Sequence, residues 1–256
     1  MTPDAARIPV LLWGDGRRAQ SWSDAIARGK SLRLVGRIGR GGPDDERSTS
    51  PPRFATLDDA LGAFPQARVA AALEPRAALA AALELAQRGR ASLVDAPLYA
   101  RADLSGDALP PGASRVQVAN GFCTLSGRAH VQKLLGAGVY EHAHIDVDGL
   151  PEEAGGESIE VFWHALALVS RLFGVPRVER VHVDGSVELE AGAMRVRLSC
   201  ATRGQRLRAR LHGTGVPDIE WSWRPHEQTI ACGNTRATRT CPTGEERALR
   251  QLAAPT

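Results

Sequence analysis

The 256-residue chain is 43% apolar and 24% charged, enough for a well-buried core in one large or two modest domains, which excludes disorder and collagen-like repetition. Its 32 basic and 29 acidic residues leave a net charge of +3, too small to argue for nucleic acid. Apolar residues never run 18 in a row and no basic segment leads into a cleavable apolar stretch, so a soluble cytoplasmic protein without membrane contact is expected.

All but two of the basic residues are arginine, so chemistry that needs a neutral amine has only Lys30 and Lys133 to draw on. Cys123, Cys200, Cys232 and Cys241 include no C-x-x-C pair, which points to neither a zinc ribbon nor a disulfide framework.

Arg7 to Trp13 is a continuous apolar run that breaks at Gly14 and predicts a buried strand. The stretch Gly14-Asp15-Gly16-Arg17-Arg18-Ala19 follows, a G-x-G-x-x-A sequence that opens a helix over 19–28. Strand, glycine turn and helix start come in the order a dinucleotide site requires: the glycines admit a pyrophosphate close to the backbone, and the helix amino terminus offers it N–H groups. Gly14, Gly16, Arg17 and Ala19 are the candidate cofactor residues. Leu32 to Ile38 predicts a second strand. The acid that commonly holds the ribose hydroxyls past such a strand is replaced by Gly39, flanked by Arg37 and Arg40. Two arginines without the acid favour a phosphorylated cofactor, NADP rather than NAD, unless they simply coat a solvent loop.

Residues 41 to 53 are polar and proline-rich, an expected exposed loop. A capped helix at 56–61, a strand at 69–73, a helix at 76–88 ended by Gly89 and a strand at 91–94 complete the alternation of a doubly wound parallel sheet, with Arg115 to Ala119 as its last strand.

The stretch VAAALEPRAALAAALELAQRGRASLVDAPL, after FATLDDAL, resembles the Rossmann domain of the glucose-fructose oxidoreductase and inositol dehydrogenase (Gfo/Idh/MocA) family. The resemblance implies a Glu-Lys-Pro signature where this chain reads Asp95-Ala96-Pro97. That turn, including Pro97, would border the nicotinamide, but Ala96 can neither polarise a carbonyl nor move a proton. Asp95, Tyr99 or a later histidine would have to substitute.

In the second half, Arg128 to Leu135 predicts a helix, similar to the family's entry to its second domain, with Lys133 on its surface. The next strand alternates His142, His144, Asp146 and Asp148 with Ala143, Ile145 and Val147. A His-x-His pair with carboxylates suits zinc or manganese, but a half-exposed strand shows the same alternation, and no metal is expected. Over 155–174, Ile159, Phe162, Leu166, Val169 and Phe173 make an apolar helical stripe that leaves Glu160 and His164 on a face looking away from the core. By spacing alone that pair is a surface ion pair. By resemblance, Glu160-Val161-Phe162-Trp163-His164 is similar to the family's Asp-x-x-x-His element lining the active cleft, making His164 the general acid or base and Glu160 its partner.

Strands are predicted at 178–183, 187–189, 194–200, 207–211 and 219–223. Met194, Val196, Leu198, Leu207, Ala209 and Leu211 share the core face and arginines project outward, balanced by Glu188 and Glu190 or meeting another copy of the chain, since the family's sheets commonly associate face to face. Residues 226–242 show no period, and 244–252 predict a short terminal helix. The expected fold is therefore α/β, a Rossmann-type doubly wound parallel sheet over 1–118 followed by a smaller C-terminal α+β antiparallel-sheet domain over 119–256. The expected function is NADP-dependent transfer of hydride to or from a small carbonyl, imine or alcohol. The alternative is a catalytically degenerate relative that binds a dinucleotide or metabolite as sensor, scaffold or complex subunit.

Overall fold

The computed structural model describes residues 7–39, 51–95, 111–119, 122, 125, 127–149, 158–224, 227–242 and 244–253. They divide into two units, one running to Ala119 and resuming at Glu245, the other spanning Asn120–Gly244.

The first unit is built on six parallel strands: β1 (Ile8–Trp13), β2 (Leu32–Ile38), β3 (Arg53–Phe54), β4 (Arg68–Ala71), β5 (Ser92–Asp95) and β6 (Val116–Ala119). Their order, β3-β2-β1-β4-β5-β6, reverses at β1, as in dinucleotide-binding sheets. Val10 and Leu12 are buried on one face of β1 and Leu11 on the other, which is why the strand reads as an unbroken apolar run. On the first face lie α1 (Arg17–Arg28) with Trp22 and Ile26, and the terminal helix α6 (Gly244–Ala253) with Ala248, Leu249 and Leu252. On the second lie α2 (Leu57–Ala63), whose first turn is capped by the Thr56 hydroxyl accepting from Asp59 N, and α3 (Pro75–Gln87).

Two expectations change here. Helix α6, assigned from the sequence to the second domain, belongs to the first unit because its apolar stripe is buried with α1. The expected loop through Arg53 ends earlier: Arg37 N donates to Pro52 O at 2.9 Å and Gly39 N to Phe54 O at 3.2 Å, so Arg53 and Phe54 extend the sheet.

The second unit holds α4 (Gly127–Leu135), β7 (His142–Asp148), α5 (Ser158–Phe173), β8 (Pro176–Val181), β9 (Val187–Ala191), β10 (Met194–Ala201), β11 (Arg206–His212), β12 (Ile219–Arg224), β13 (Glu227–Cys232) and β14 (Thr235–Thr240). Its eight strands follow the order β14-β13-β12-β11-β7-β10-β9-β8. All pairs are antiparallel except β7 with β10, so the sheet is mixed rather than purely antiparallel. A parallel pair needs a crossover, and α5 lies on the path from β7 to β10. The inward residues of β7, β10 and β11 are those expected, packed with Trp221 and Trp223 against α5. On the open face Arg195 stands opposite Glu190 and Arg197 opposite Glu188. The hairpin β13–β14 had no counterpart in the sequence reading.

Cys200 and Cys232 are free thiols, and burial, aided by the Asp146 carboxylate, pushes Cys200 up to about 12, which leaves it unreactive. Cys123 lies outside the described residues. Among the described residues no helix is long and apolar enough to cross a membrane.

Candidate functional site

The carboxyl end of β1 lies between β2 and β4, where the strand order reverses. Gly14 N donates to Ile38 O at 2.9 Å, and Trp13 O accepts from Ala72 N at 2.8 Å, so the chain leaves the sheet between two strands. Gly14 has φ +133°, and a Cβ there would lie 2.2 Å from Ala72 O, so only glycine fits. Gly16, with φ +99°, caps α1, and among the described residues no atom beyond its chain neighbours comes within 4 Å of the Cβ it lacks. No described side chain therefore crowds the backbone at the helix amino terminus. Ala19, 1% exposed among Val10 and Leu12, lets α1 approach the sheet closely.

The first turn of α1 carries no acidic residue to repel an anion, and Arg17 is exposed beside it. These residues fit a dinucleotide: the N–H groups of the first turn and their partial positive charge face the volume a pyrophosphate would take.

Two ion pairs that the sequence reading missed border this turn. Arg18 Nε lies 2.6 Å from Oδ2 of Asp95, the last residue of β5, whose side chain is 8% exposed. Arg53 Nη1 lies 3.0 Å from Asp15 Oδ1. Both link partners far apart in sequence, and no local pattern announces them. Arg37 turns back onto α1, its Nη2 donating to Ser23 Oγ at 2.6 Å. Gly14, Gly16, Arg17, Ala19, Arg37 and Asp95 therefore gather at one edge of the first unit. Arg40, Ala96, Pro97 and Tyr99 lie outside the described residues.

His164 belongs to the second unit and is 1% exposed, its ring edge-on to Phe122 with centroids 6.3 Å apart. The expectation that its face looks away from the core is overturned. The arc that α5 buries runs through Val161, His164, Ala165, Leu168 and Val169, while Phe162 and Leu166 sit half-buried at its margin. Small and β-branched side chains let the helix lie close on the sheet, and the bulky ones fill the flank. Glu160 is one turn before His164 in α5, and its side chain lies outside the described atoms.

On the open sheet face His142 and His144 are exposed, and His144 Nε2 lies 3.2 Å from Asp146 Oδ1. Asp148 accepts from the backbone N–H groups of Arg203 and Gly204 at 2.9 and 2.8 Å. Among the described residues no three such side chains converge to hold a metal ion.

No family profile and no curated protein matches the chain. Solved structures do. A Gfo/Idh/MocA family oxidoreductase from Vibrio cholerae is 14% identical with a TM-score of 0.68, covering 97% of this chain and 91% of that one. D-galactose-1-dehydrogenase from Rhizobium etli is also 14% identical with a TM-score of 0.68, covering 97% of this chain and 87% of that one. An oxidoreductase from Agrobacterium radiobacter, solved in complex with NAD+, L-tartaric acid and magnesium, is 12% identical with a TM-score of 0.69, covering 96% and 86%. The parallel sheet and the mostly antiparallel second sheet are thus those of the Gfo/Idh/MocA oxidoreductases, whose fold this chain shares.

Proposed function

We propose that the chain is an oxidoreductase that uses a nicotinamide dinucleotide to oxidise or reduce a small alcohol, carbonyl or imine. The observation that carries this reading is the turn at the end of β1, where Gly14 is forced by the approach of Ala72 and, among the described residues, nothing crowds Gly16 at the amino terminus of α1. The NAD+ complex of the Agrobacterium radiobacter neighbour supports the same class of cofactor.

When bound, the dinucleotide supplies the hydride chemistry. The chain's part is to hold the pyrophosphate on the first-turn N–H groups of α1, with Arg17 adding positive charge, and to manage a proton. His164 is the residue proposed for that proton, since an imidazole nitrogen can donate or accept one, and Glu160 one turn earlier is its proposed partner. The expectation of NADP drew on Arg37 and Arg40, and Arg37 is engaged by Ser23.

A second reading, binding without turnover, is favoured by Ala96 in the place of the signature lysine and by the engagement of Asp95 with Arg18. Oxidation of NADH and NADPH by a panel of carbonyls and imines separates the two. Turnover that His164→Gln abolishes while nucleotide affinity stays within twofold carries the first reading, and tight binding without turnover across the panel carries the second. If neither nucleotide binds, both fall.

A further inference from the structure

We infer that Asp15 reads the adenosine ribose of the dinucleotide and that its carboxylate selects the form without a 2′-phosphate. This rests on the glycine turn being a dinucleotide site and goes on to name which dinucleotide.

At the end of β2, where a carboxylate commonly holds the ribose hydroxyls, the chain has Gly39. A Cβ on Gly39 would lie 2.2 Å from Asp15 Oδ2 and 2.5 Å from both its Cγ and Oδ1. The carboxyl group of Asp15 already fills the volume where a side chain at position 39 would begin. The acid is present at this place, but it comes from the glycine turn instead of the strand. A Cβ at position 39 would displace the carboxylate.

Arg53 holds Asp15 there. It stands opposite Arg37 in the parallel register of β2 and β3, and its Nη1 lies 3.0 Å from Asp15 Oδ1. Held by this contact, the Asp15 side chain is 43% exposed and within reach of a ligand. A carboxylate has lone pairs enough to accept from Arg53 and from the vicinal 2′- and 3′-hydroxyls together. A 2′-phosphate brings a charge of nearly −2 to the same spot, where it meets the carboxylate and a guanidinium already engaged. Arg37, which an NADP site would turn outward, bonds to Ser23 instead.

The test is the affinity of the wild type and of Asp15→Asn for ADP-ribose, 2′-phospho-ADP-ribose, NADH and NADPH, by calorimetry at constant ionic strength. ADP-ribose and its 2′-phosphate lack the nicotinamide, so the readout is independent of turnover. The wild type should prefer the unphosphorylated member of each pair at least tenfold, and Asp15→Asn should reduce that preference at least tenfold. Gly39→Ala, which displaces the carboxylate, should shift the preference in the same direction. A wild type that binds the 2′-phosphates equally or more tightly, or a preference that Asp15→Asn leaves within twofold, overturns the role of Asp15 alone. Failure of all four ligands to bind overturns the dinucleotide reading itself.

Discussion

Arg18 and Asp95 tie the first turn of α1 to the carboxyl end of β5, with Nε 2.6 Å from Oδ2 and side chains 21% and 8% exposed. Arg18→Ala removes the guanidinium from a carboxylate whose side chain is 8% exposed and is expected to destabilise the first unit by about 3 kcal/mol, the cost of breaking a buried pair from one side. Adding Asp95→Asn should restore most of that loss. Urea unfolding of the single and double variants checks it, and a double variant no more stable than Arg18→Ala would show that the pair contributes little.

Gly14 and Gly16 should respond differently to alanine. Gly14→Ala meets both a positive φ and Ala72 O at 2.2 Å, so it is expected to lower stability by roughly 3 kcal/mol or more. Gly16→Ala meets only the positive φ, at roughly 1–3 kcal/mol. At a temperature where the Gly16 variant remains folded by circular dichroism, it should bind dinucleotide at least tenfold more weakly, because the methyl group enters the open space over α1.

Asp184, between β8 and β9, has its carboxyl held down to about 2 from 3.8 by the Ser186 hydroxyl and amide, with Arg197 adding to the effect. The bonds are Ser186 Oγ and N to Oδ1 at 2.6 and 2.9 Å, and Arg197 Nη2 to Oδ2 at 2.9 Å. The native value lies below the unfolded one, so this support for the turn is complete above about pH 4 and is lost as pH falls toward 2. Carboxyl NMR titration should find a midpoint near 2 that Ser186→Ala moves back toward 3.8.

Leu249 in α6 is 4% exposed among Trp22, Ile26 and Leu252. Leu249→Ala is expected to destabilise the first unit by about 2–4 kcal/mol. Hydrogen exchange reads where the loss falls: faster exchange in β1 and α1, with β10 and β11 unchanged, is the expected pattern.

The glycine turn was legible because each small residue answers a local demand: close approach at Gly14, open backbone at Gly16, a tight helix contact at Ala19. The strands β7, β10 and β11 were legible because one face is buried and the other charged, which writes a period of two into the sequence. Strand β14 was not, since all six of its residues are exposed at the sheet edge and neither face carries a hydrophobic mark. Bulk does not mark the buried face of α5: Val161, His164, Ala165, Leu168 and Val169 are buried, while Phe162 lies on the flank. Asp15 and Gly39 are 24 residues apart, and nothing in either neighbourhood announces that one carboxyl fills the other's missing side chain.

The most direct test of the dinucleotide site is a titration with NADH and, separately, NADPH, following the emission of tryptophan, of which Trp13 immediately precedes Gly14. A saturable, one-site response with a micromolar Kd for NADH, weakened at least tenfold in Gly16→Ala, is the predicted result. No saturable response to either nucleotide up to millimolar concentration would contradict it.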